Sequence, residues 1–481
     1  MFTFLLSIAL TLSTFAAPLT FRARLSEDLG TLDWNYGEVN SEVSYQLMEG
    51  LFRADKKGFS QPAAARSFRW NSDKTQLTVQ IRVDRRWSDG SPLCAQQFVD
   101  SWNRLRDKSF ASPYGHYASV LKSFEAKSCR QLVVNFQRSA PEAPALFAHY
   151  VFFPVRLDNL AKFPAVFNEG TTLFVNGPFR VKEWKKNALL VLERNEKYGG
   201  KAPSIERIEF RFVPEDNTAK AMFELKELDW VKEVPQLLRS PALEKSPEFK
   251  IFPSLIVYYF GLNAGKSSLL LDPKIRRALS SALDRSEIPK ILGKECRGAE
   301  SWLVPELLPV LKKAKIVPAI DEEAKAILLQ AVKEKKMTLL LRTYSKTAHK
   351  VLAEWAQGQW EKKLGVRIPI EVQEGKVYWK EITVNPAPIF FGGVTAPYGH
   401  PRAFLQEFLS GSSANWTGWN SPEYDKAVSL EQNEEAEGIL ENDGFIIPLY
   451  QRDTVALVSS RWKNFFINPL GQVFLADVTR Q

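Results

Sequence analysis

The chain has 481 residues, of which 45% are hydrophobic and 25% are charged. This balance is typical of globular proteins and excludes a disordered chain, and the length is sufficient for two or three domains with substantial cores. The formal net charge is +9 at pH 7. The sequence contains no block of Lys and Arg of the kind that binds nucleic acid, so we expect no nucleic-acid partner.

The first residues form an uncharged apolar run that ends in small residues, MFTFLLSIALTLSTFAAP. We predict that residues 1–16 are a signal peptide cleaved after Ala16. No cysteine lies near this point, so a lipid anchor is not expected. No later segment is apolar for long enough to cross a membrane. We therefore expect an exported protein that does not itself span the membrane.

Alternating apolar residues predict strands in the first half of the chain, and apolar residues three or four positions apart predict helices. The predicted strands lie at 19–25, 77–83, 132–136, 179–184, 189–194 and 206–213. The predicted helices lie around 43–51, 98–102 and 218–225.

The second half continues this mixture. A strand is predicted at 257–260, followed by a helix that starts at Asp272 and Pro273 and has an apolar stripe reaching Ile288. Further strands are predicted at 338–341 and 366–370, on either side of a helix at 348–364 that Gly365 ends. Strands and helices alternate throughout, which indicates an α/β or α+β protein with several β-rich lobes.

The stretch from Ile389 to Asp425 contains a candidate ligand-binding element. An apolar run, Ile389 to Phe391, enters the pair Gly392-Gly393, where a backbone without side chains can approach another molecule closely. We predict a buried strand that stops at the glycines and lines a ligand site. The alternative is an ordinary core strand followed by a tight turn.

The residue types that carry catalysis are not arranged for it. The four histidines lack metal-ligand spacing, and no Gly-x-Ser-x-Gly motif is present. We expect no cofactor, no metal site and no enzymatic activity, which favours a binding protein. Cys94 and Cys129 fall in one predicted region, and a disulfide between them is possible in an exported protein. Cys296 is interpreted as a buried structural thiol.

A series of short segments occurs in one order along nearly the whole chain: Leu32-Asp33, Leu47-Met48-Glu49-Gly50-Leu51, Arg86-Trp87-Ser88-Asp89-Gly90-Ser91-Pro92, Ala111-Ser112-Pro113-Tyr114, Asn176-Gly177-Pro178-Phe179, Leu192-Glu193-Arg194-Asn195, Glu227-Leu228-Asp229-Trp230, Tyr258-Tyr259, Ile275-Arg276-Arg277-Ala278-Leu279, His349-Lys350, Asn420-Ser421-Pro422 and Ile447-Pro448-Leu449-Tyr450. Together they resemble the periplasmic oligopeptide- and dipeptide-binding proteins of ABC importers, the family 5 extracellular solute-binding proteins.

The resemblance implies an α/β fold like that of type II periplasmic binding proteins, with three lobes and a ligand cleft between lobes I and III. Lobe I would consist of residues 17–57, 171–265 and 457–481, lobe II of 58–170 and lobe III of 266–456. The resemblance further implies a periplasmic, monomeric protein that closes its lobes around an oligopeptide or peptide-like ligand and delivers it to the permease subunits of an importer.

In these relatives the ligand backbone pairs as an added strand, and an acid near the glycine-ended strand receives the N-terminal ammonium. Gly393 and Thr395 would then offer backbone groups, unless they belong to a plain core strand. Aligned on the family pattern Gly-Trp-x-x-Asp-Tyr, Val394 takes the place of the tryptophan and Pro397 that of the aspartate. Proline supplies no carboxylate, so the sequence departs from its relatives where the amine would bind.

Three further residues are candidates with an open alternative. Glu38 follows Leu32-Asp33 and would hold the amine, or it is an exposed surface carboxylate. Tyr114 would line the cleft, or it is a core tyrosine. His349 lies where the relatives meet the far end of longer peptides, or it is a histidine on a helix surface.

These departures leave three hypotheses open. The protein binds peptides and uses an acid other than the missing aspartate. Alternatively, its ligand is a non-peptide or amine-free molecule. In the third hypothesis it is an exported sensor that kept the fold without transport.

Overall fold

The computed structural model describes residues 17–36, 41–304, 306–307 and 321–481. The predicted signal peptide at 1–16 and the candidate Glu38 lie outside these ranges. Within them, every helix is too short or too polar to span a membrane.

The described strands, numbered in chain order, are β1 (Thr20–Leu25), β2 (Phe52–Ala54), β3 (Ser60–Pro62), β4 (Ala65–Trp70), β5 (Gln76–Ile81), β6 (Leu121–Ser128), β7 (Gln131–Phe136), β8 (Phe179–Lys185), β9 (Leu189–Arg194), β10 (Arg207–Phe212), β11 (Trp230–Lys232), β12 (Phe249–Phe252), β13 (Ile256–Leu262), β14 (Cys296–Gly298), β15 (Leu341–Tyr344), β16 (Ile370–Gln373), β17 (Ile389–Thr395), β18 (Ile446–Arg452), β19 (Thr454–Val458), β20 (Trp462–Lys463) and β21 (Thr479–Arg480).

The α-helices are α1 (Ser41–Leu47), α2 (Ala95–Arg106), α3 (Ala143–Leu146), α4 (Leu157–Lys162), α5 (Val166–Glu169), α6 (Asp216–Glu224), α7 (Pro241–Lys245), α8 (Pro273–Ser281), α9 (Ile288–Leu292), α10 (Glu322–Lys333), α11 (Thr347–Leu364), α12 (Gly375–Val384), α13 (Arg402–Leu405), α14 (Pro422–Ser429) and α15 (Asn433–Asp443). Short 3-10 helices include Gly115–Val120, Arg285–Glu287 and Gln406–Phe408.

Three larger sheets organise these elements. A seven-stranded sheet has the order β12-β19-β11-β1-β10-β9-β8, and a four-stranded sheet has the order β4-β5-β7-β6. A six-stranded sheet has the order β14-β18-β13-β17-β15-β16. The seven-stranded sheet therefore takes strands from the beginning, middle and end of the chain.

Helix α2 packs against the four-stranded sheet, and a disulfide links the start of the helix to that sheet. Cys94 precedes α2 and is bonded to Cys129 in the turn between β6 and β7, with a Cα–Cα distance of 4.3 Å. The next backbone amide, that of Ala95, donates to the carbonyl of Cys129 at 2.9 Å. The pairing that the sequence allowed is thus present, while Cys296 is a buried free thiol in β14.

The chain passes between the seven-stranded and six-stranded sheets at two neighbouring points. One connection leads from β12 to β13, and the other from β18 to β19, where Asp453 alone separates the two strands. The two connections touch, because the Ser254 amide donates to Asp453 Oδ1 at 3.3 Å and the hydroxyls of Ser254 and Thr454 lie 2.8 Å apart.

Strand pairing alters two of the predicted lobe boundaries. The boundary at 265/266 assigns β13 to lobe I, but β13 pairs with β17 and β18 in the six-stranded sheet. The boundary at 456/457 falls inside β19, which pairs with β11 and β12. A division by sheets therefore places both boundaries at the two connections just described.

Three predicted elements in the second half are wrong in extent. The helix from Asp272 does not reach Ile288: α8 ends at Ser281, and Asp284 caps a separate 3-10 helix by accepting the Ser286 amide at 3.1 Å. The stretch 366–370 becomes a strand only at Ile370, because the partner strand β15 starts its pairing there, opposite Leu341. Likewise β15 begins at Leu341 and not at 338.

The core covers both faces of the six-stranded sheet. On one face, α8 and α11 pack on a cluster that contains Phe260, Phe391 and Trp360, all buried. The other face contributes Tyr259 and Phe390 to a larger core that continues beneath the seven-stranded and four-stranded sheets. Strand β17 lies between these two clusters, so its position is fixed from both sides.

Candidate functional site

Strand β17 has one free edge. On one side it pairs with β13 along its whole length, from Leu262 opposite Ile389 to Ile256 opposite Thr395. On the other side it pairs with β15 only at Ile389 and Phe390. The rest of that edge, from Phe391 to Thr395, has no neighbouring strand among the described residues.

The direction of the backbone groups along this edge follows from two hydrogen bonds. The Ile389 amide donates to Leu340 O at 3.0 Å, on the β15 side, and the Ala396 amide donates to Leu255 O at 2.9 Å, on the β13 side. Backbone groups of alternate residues in a strand point to the same side. Phe391, Gly393 and Thr395 therefore direct their N–H and C=O groups to the free edge.

Of these three residues, Phe391 has an edge-facing carbonyl that already accepts a hydrogen bond. Its carbonyl accepts a hydrogen bond from the hydroxyl of the buried Tyr378 in α12. Gly393 and Thr395 are both exposed, and their edge-facing groups have no protein partner in the described part of the chain. These two residues are the ones that the sequence predicted to offer backbone groups. Val394 between them is half-buried and, by the same alternation, points its backbone groups to β13.

Gly392 and Gly393 leave space for side chains of the neighbouring strand β13. A Cβ on Gly392 would lie 2.5 Å from Cζ of Tyr259, and a Cβ on Gly393 would lie 2.8 Å from Cδ1 of Tyr258. The rings of two tyrosines on β13 thus occupy the space over the glycines. The expectation that the strand stops at the glycines is wrong, because β17 continues through them to Thr395.

The free edge leads into a cleft of about 960 Å³. Its walls come from two segments: residues between His116 and Leu146, next to the four-stranded sheet, and residues between Thr395 and Ser429, after β17. Thr395 and Pro397 both line it. Residues from separate sheets therefore enclose one volume of the size that ligand sites have.

Most charged groups in the cleft are already paired. Glu142 is buried and lies 2.5 Å from Arg138 and 3.5 Å from Arg402. Arg402 also donates to the carbonyl of Val428 at 2.7 Å. Asp425 accepts the amide of Ser410 at 3.0 Å.

Glu407 differs from these groups. It lines the same cleft from the 3-10 helix Gln406–Phe408 and is half-buried. Burial alone raises the pKa of its carboxyl to about 7, since no cation or hydrogen-bond donor counteracts the loss of hydration. The sequence did not single out Glu407: a glutamate on a short helix between turn-rich segments has no pattern that separates it from surface residues.

Two tyrosines, Tyr117 and Tyr398, line the cleft, and the predicted Tyr114 is not among its lining residues. Tyr117 belongs to the 3-10 helix Gly115–Val120 and lines the cleft. Tyr114 is half-buried, and its hydroxyl accepts from the Tyr150 hydroxyl at 3.4 Å. The alternative of a packed tyrosine therefore describes Tyr114, whose ring centroid lies 6.5 Å from that of Tyr117.

His349 is buried in an aromatic cluster, so the helix-surface alternative is wrong. Its ring centroid lies 4.3 Å from those of Phe391 and Tyr344, and it is 3% exposed. Burial lowers the pKa of His349 to about 3, with a smaller contribution from Lys346. The histidine is neutral and closes the Phe391 end of the free edge.

Comparison with known proteins agrees with this arrangement. The family model for bacterial extracellular solute-binding proteins, family 5 Middle, matches residues 60–416. The periplasmic oligopeptide-binding protein OppA of Salmonella typhimurium is 28% identical, over 92% of this chain and 88% of that protein. The probable deoxycholate-binding periplasmic protein YgiS of Escherichia coli is 26% identical, over 95% of this chain and 93% of that protein.

Solved structures show the same fold. The unliganded open form of the periplasmic murein tripeptide-binding protein MppA superposes with a TM-score of 0.84 at 24% identity, over 97% of this chain and 98% of that one. Haemophilus influenzae OppA in complex with the peptide RPPGFSPFR gives 0.75 at 25% identity, over 97% and 99%. The family model covers most of the chain, and the protein therefore belongs to family 5 of the bacterial extracellular solute-binding proteins.

Proposed function

We propose that this protein is the peptide-capturing component of an ABC importer and that the peptide backbone pairs with the free edge of β17. The observation that carries the proposal is the pair of exposed, edge-facing residues Gly393 and Thr395. A strand edge of this kind recognises main-chain groups and tolerates different side chains.

The position of the edge supports capture by closure. The cleft beside it has one wall next to the four-stranded sheet and one wall that follows β17. A ligand that touches both walls stabilises the closed arrangement over the open one. The two adjacent connections at Ser254 and Asp453 are where the backbone would bend between the sheets.

The cellular location forms part of the proposal. We propose that residues 1–16 are removed on export, that no lipid anchor is attached, and that the mature protein acts in the periplasm as a monomer that presents its ligand to a permease. The S. typhimurium relative supports this location, since it is described as periplasmic, and H. influenzae OppA, which was solved with a bound peptide, supports the ligand class.

Calorimetry on the refolded, ligand-stripped protein tests the function. Trialanine, trileucine, trilysine and pentaalanine are titrated against it, with free alanine as the control. We expect peptides of different side chains to bind within about tenfold of one another and free alanine not to bind, because the main chain carries the affinity. Absence of binding by all four peptides contradicts the proposal.

A second candidate is a ligand without a free amine. The observation that favours it is Pro397, which lines the cleft where the family pattern has an aspartate, and the relative YgiS is described as a probable deoxycholate-binding protein. Deoxycholate is titrated against the same protein in a separate experiment. Binding of deoxycholate without binding of any peptide would favour this candidate.

A further inference from the structure

Three carboxylates line the cleft in the described part of the chain: Glu142, Glu407 and Asp425. Glu142 is compensated by Arg138 and Arg402, and Asp425 accepts a backbone amide. Glu407 forms neither an ion pair nor a hydrogen bond with any described residue. The cleft therefore contains one carboxylate for which the described residues supply no partner.

Glu407 lines the same cleft as Pro397, the position where the acid of the family pattern is missing, and the residues next to the two are in contact. Tyr398, next to Pro397, donates its hydroxyl to the side chain of Gln406, next to Glu407, at 3.2 Å. The other neighbour, Phe408, is buried against Trp302 and Tyr259, with ring centroids 4.7 and 5.7 Å apart. The short helix that bears Glu407 is thus anchored on both sides of it.

We propose that Glu407 binds the ammonium group of the ligand and so supplies from the helix Gln406–Phe408 the carboxylate that Pro397 cannot provide. This inference rests on the proposed function and deepens it, because it makes a free amine a requirement of the ligand. A half-buried carboxylate without a partner is costly when ionised. A cationic ligand group removes that cost, so the site favours ligands with an amine over those without one.

The wall of the cleft opposite Glu407 also suits an ammonium group. Tyr117 lines the cleft from the other segment, and it lies close enough to Glu407 for the carboxylate to help burial raise the pKa of its phenol to about 12. The ring of Tyr117 is flanked by those of His116 and His149, with centroids 4.3 and 5.3 Å away, but its phenol oxygen can accept a hydrogen bond from an ammonium ion. A ligand amine between Glu407 and Tyr117 would therefore contact both walls at once and connect recognition of the amine to closure.

The arginines make an anionic ligand group less suitable here. Arg138 and Arg402 flank the cleft, but Glu142 lies between them, and Arg402 is also used by the Val428 carbonyl. A ligand carboxylate would have to compete with Glu142 and would face Glu407 unpaired. Charge complementarity thus places the amine end of a peptide, and not its carboxylate end, in this cleft.

The test compares the full-length wild type with two charge-removing variants. Glu407→Gln keeps the shape of the side chain, and Asp425→Asn removes a charge from the same cleft where it is already satisfied. Each refolded, ligand-stripped protein is titrated by calorimetry with trialanine and trileucine, each with a free and with an acetylated N-terminus. Thermal unfolding of each variant establishes that it is folded.

We expect the wild type to bind free peptides about 30-fold more tightly than acetylated ones, because the ion pair is desolvated. Glu407→Gln should weaken binding of the free peptides about tenfold or more and leave the acetylated peptides nearly unchanged. Asp425→Asn should change both by about threefold or less.

The possible failures are distinguishable. Equal binding of free and acetylated peptides by the wild type overturns the inference and leaves the proposed function standing. Retention of the preference for the free amine in Glu407→Gln has the same consequence. If the wild type binds none of the peptides, the proposed function itself is overturned, and this inference with it.

Discussion

The two ends of the free edge of β17 differ in burial and in whether the protein satisfies the backbone groups that face the edge. At the Phe391 end the carbonyl is taken by Tyr378, and the rings of His349 and Tyr344 close the surface. At the Thr395 end the backbone is exposed and opens into the cleft that Glu407 lines. One strand thus changes from core to ligand surface within five residues, 391 to 395.

The difference indicates how the fold limits where a ligand can bind. Every edge-facing backbone group must be satisfied or hydrated. The hydroxyl of Tyr378 satisfies the carbonyl of Phe391. The edge-facing groups of Gly393 and Thr395 are left to water or a ligand. Under the proposed function, the register of the ligand would be set by where β17 stops pairing with the rest of the protein, and four changes test this at one end or the other.

The largest effect is expected from Thr395→Pro. This change removes the edge-facing N–H at Thr395 while the pairing of Val394 and Ala396 with β13 remains. Loss of one main-chain donor to the ligand should weaken peptide binding about 10- to 100-fold, as measured by calorimetry. Thr395→Ala keeps the N–H and should bind nearly as the wild type does. If the two variants bind alike, the backbone of Thr395 does not pair with the ligand.

At the closed end, Tyr378→Phe should affect stability and not binding. The Phe391 carbonyl would lose its donor in a buried position, which should lower the free energy of unfolding by about 1–3 kcal/mol in denaturant titrations. The matched control is Tyr344→Phe, in the neighbouring ring 5.2 Å away, which should change it by about 0.5 kcal/mol or less. A large loss of peptide affinity in Tyr378→Phe would show that the closed end takes part in binding.

The third effect is on pH dependence at the open end. The raised pKa of Glu407, about 7, keeps its carboxyl neutral below that pH and charged above it, whereas a peptide amine stays protonated up to about pH 7.7. Affinity for free-amine peptides should therefore rise about tenfold between pH 5.5 and pH 7. The dependence should disappear in Glu407→Gln.

Other titratable groups at the cleft or next to its lining residues should not produce this rise. Burial raises the pKa values of Tyr117 and Tyr259, and it lowers that of His400 to about 4. Arg138, Arg402 and Glu142 form the paired cluster described above. His116 also lines the cleft, so His116→Gln is the control: it should retain the rise, and loss of the rise in that variant would assign it to His116.

The smallest effect is expected from His349→Phe near neutral pH. The pKa of His349 is lowered by burial to about 3, so the unfolded chain takes up its proton first as the pH falls below about 6.5. Protonation of His349 in the unfolded chain should lower the free energy of unfolding of the wild type by about 2 kcal/mol between pH 8 and pH 5. His349→Phe should be less sensitive over that range by the same amount. Equal pH sensitivity of both proteins would mean that His349 is protonated in the folded state.

The order of elements and the family were accessible from the sequence because they depend on local periodicity and on short segments in a fixed order. Gly393 and Thr395 could be proposed for the same reason. The extent of β17 could not, since the tyrosines over its glycines come from β13. Glu407 was missed because its distinction, burial without a partner, arises only when the segment near His116 packs against the segment after β17. Glu38 lies outside the described residues, so its predicted role stays a prediction.

The single residue between β18 and β19 has a mechanical consequence. Because Asp453 alone separates strands that belong to different sheets, a change in the angle between those sheets is concentrated in very few backbone torsions. The Thr395 end of β17 lies beside this pivot, because Thr395 pairs with Ile256 and the Ala396 amide donates to Leu255 O in the β12–β13 connection. The Ile389 end of the same strand pairs with Leu262 and lies further away. A rotation of one sheet against the other would therefore displace the Thr395 end of β17 little and its Ile389 end more, so spectroscopic reporters at the two ends would register different amplitudes of the same motion.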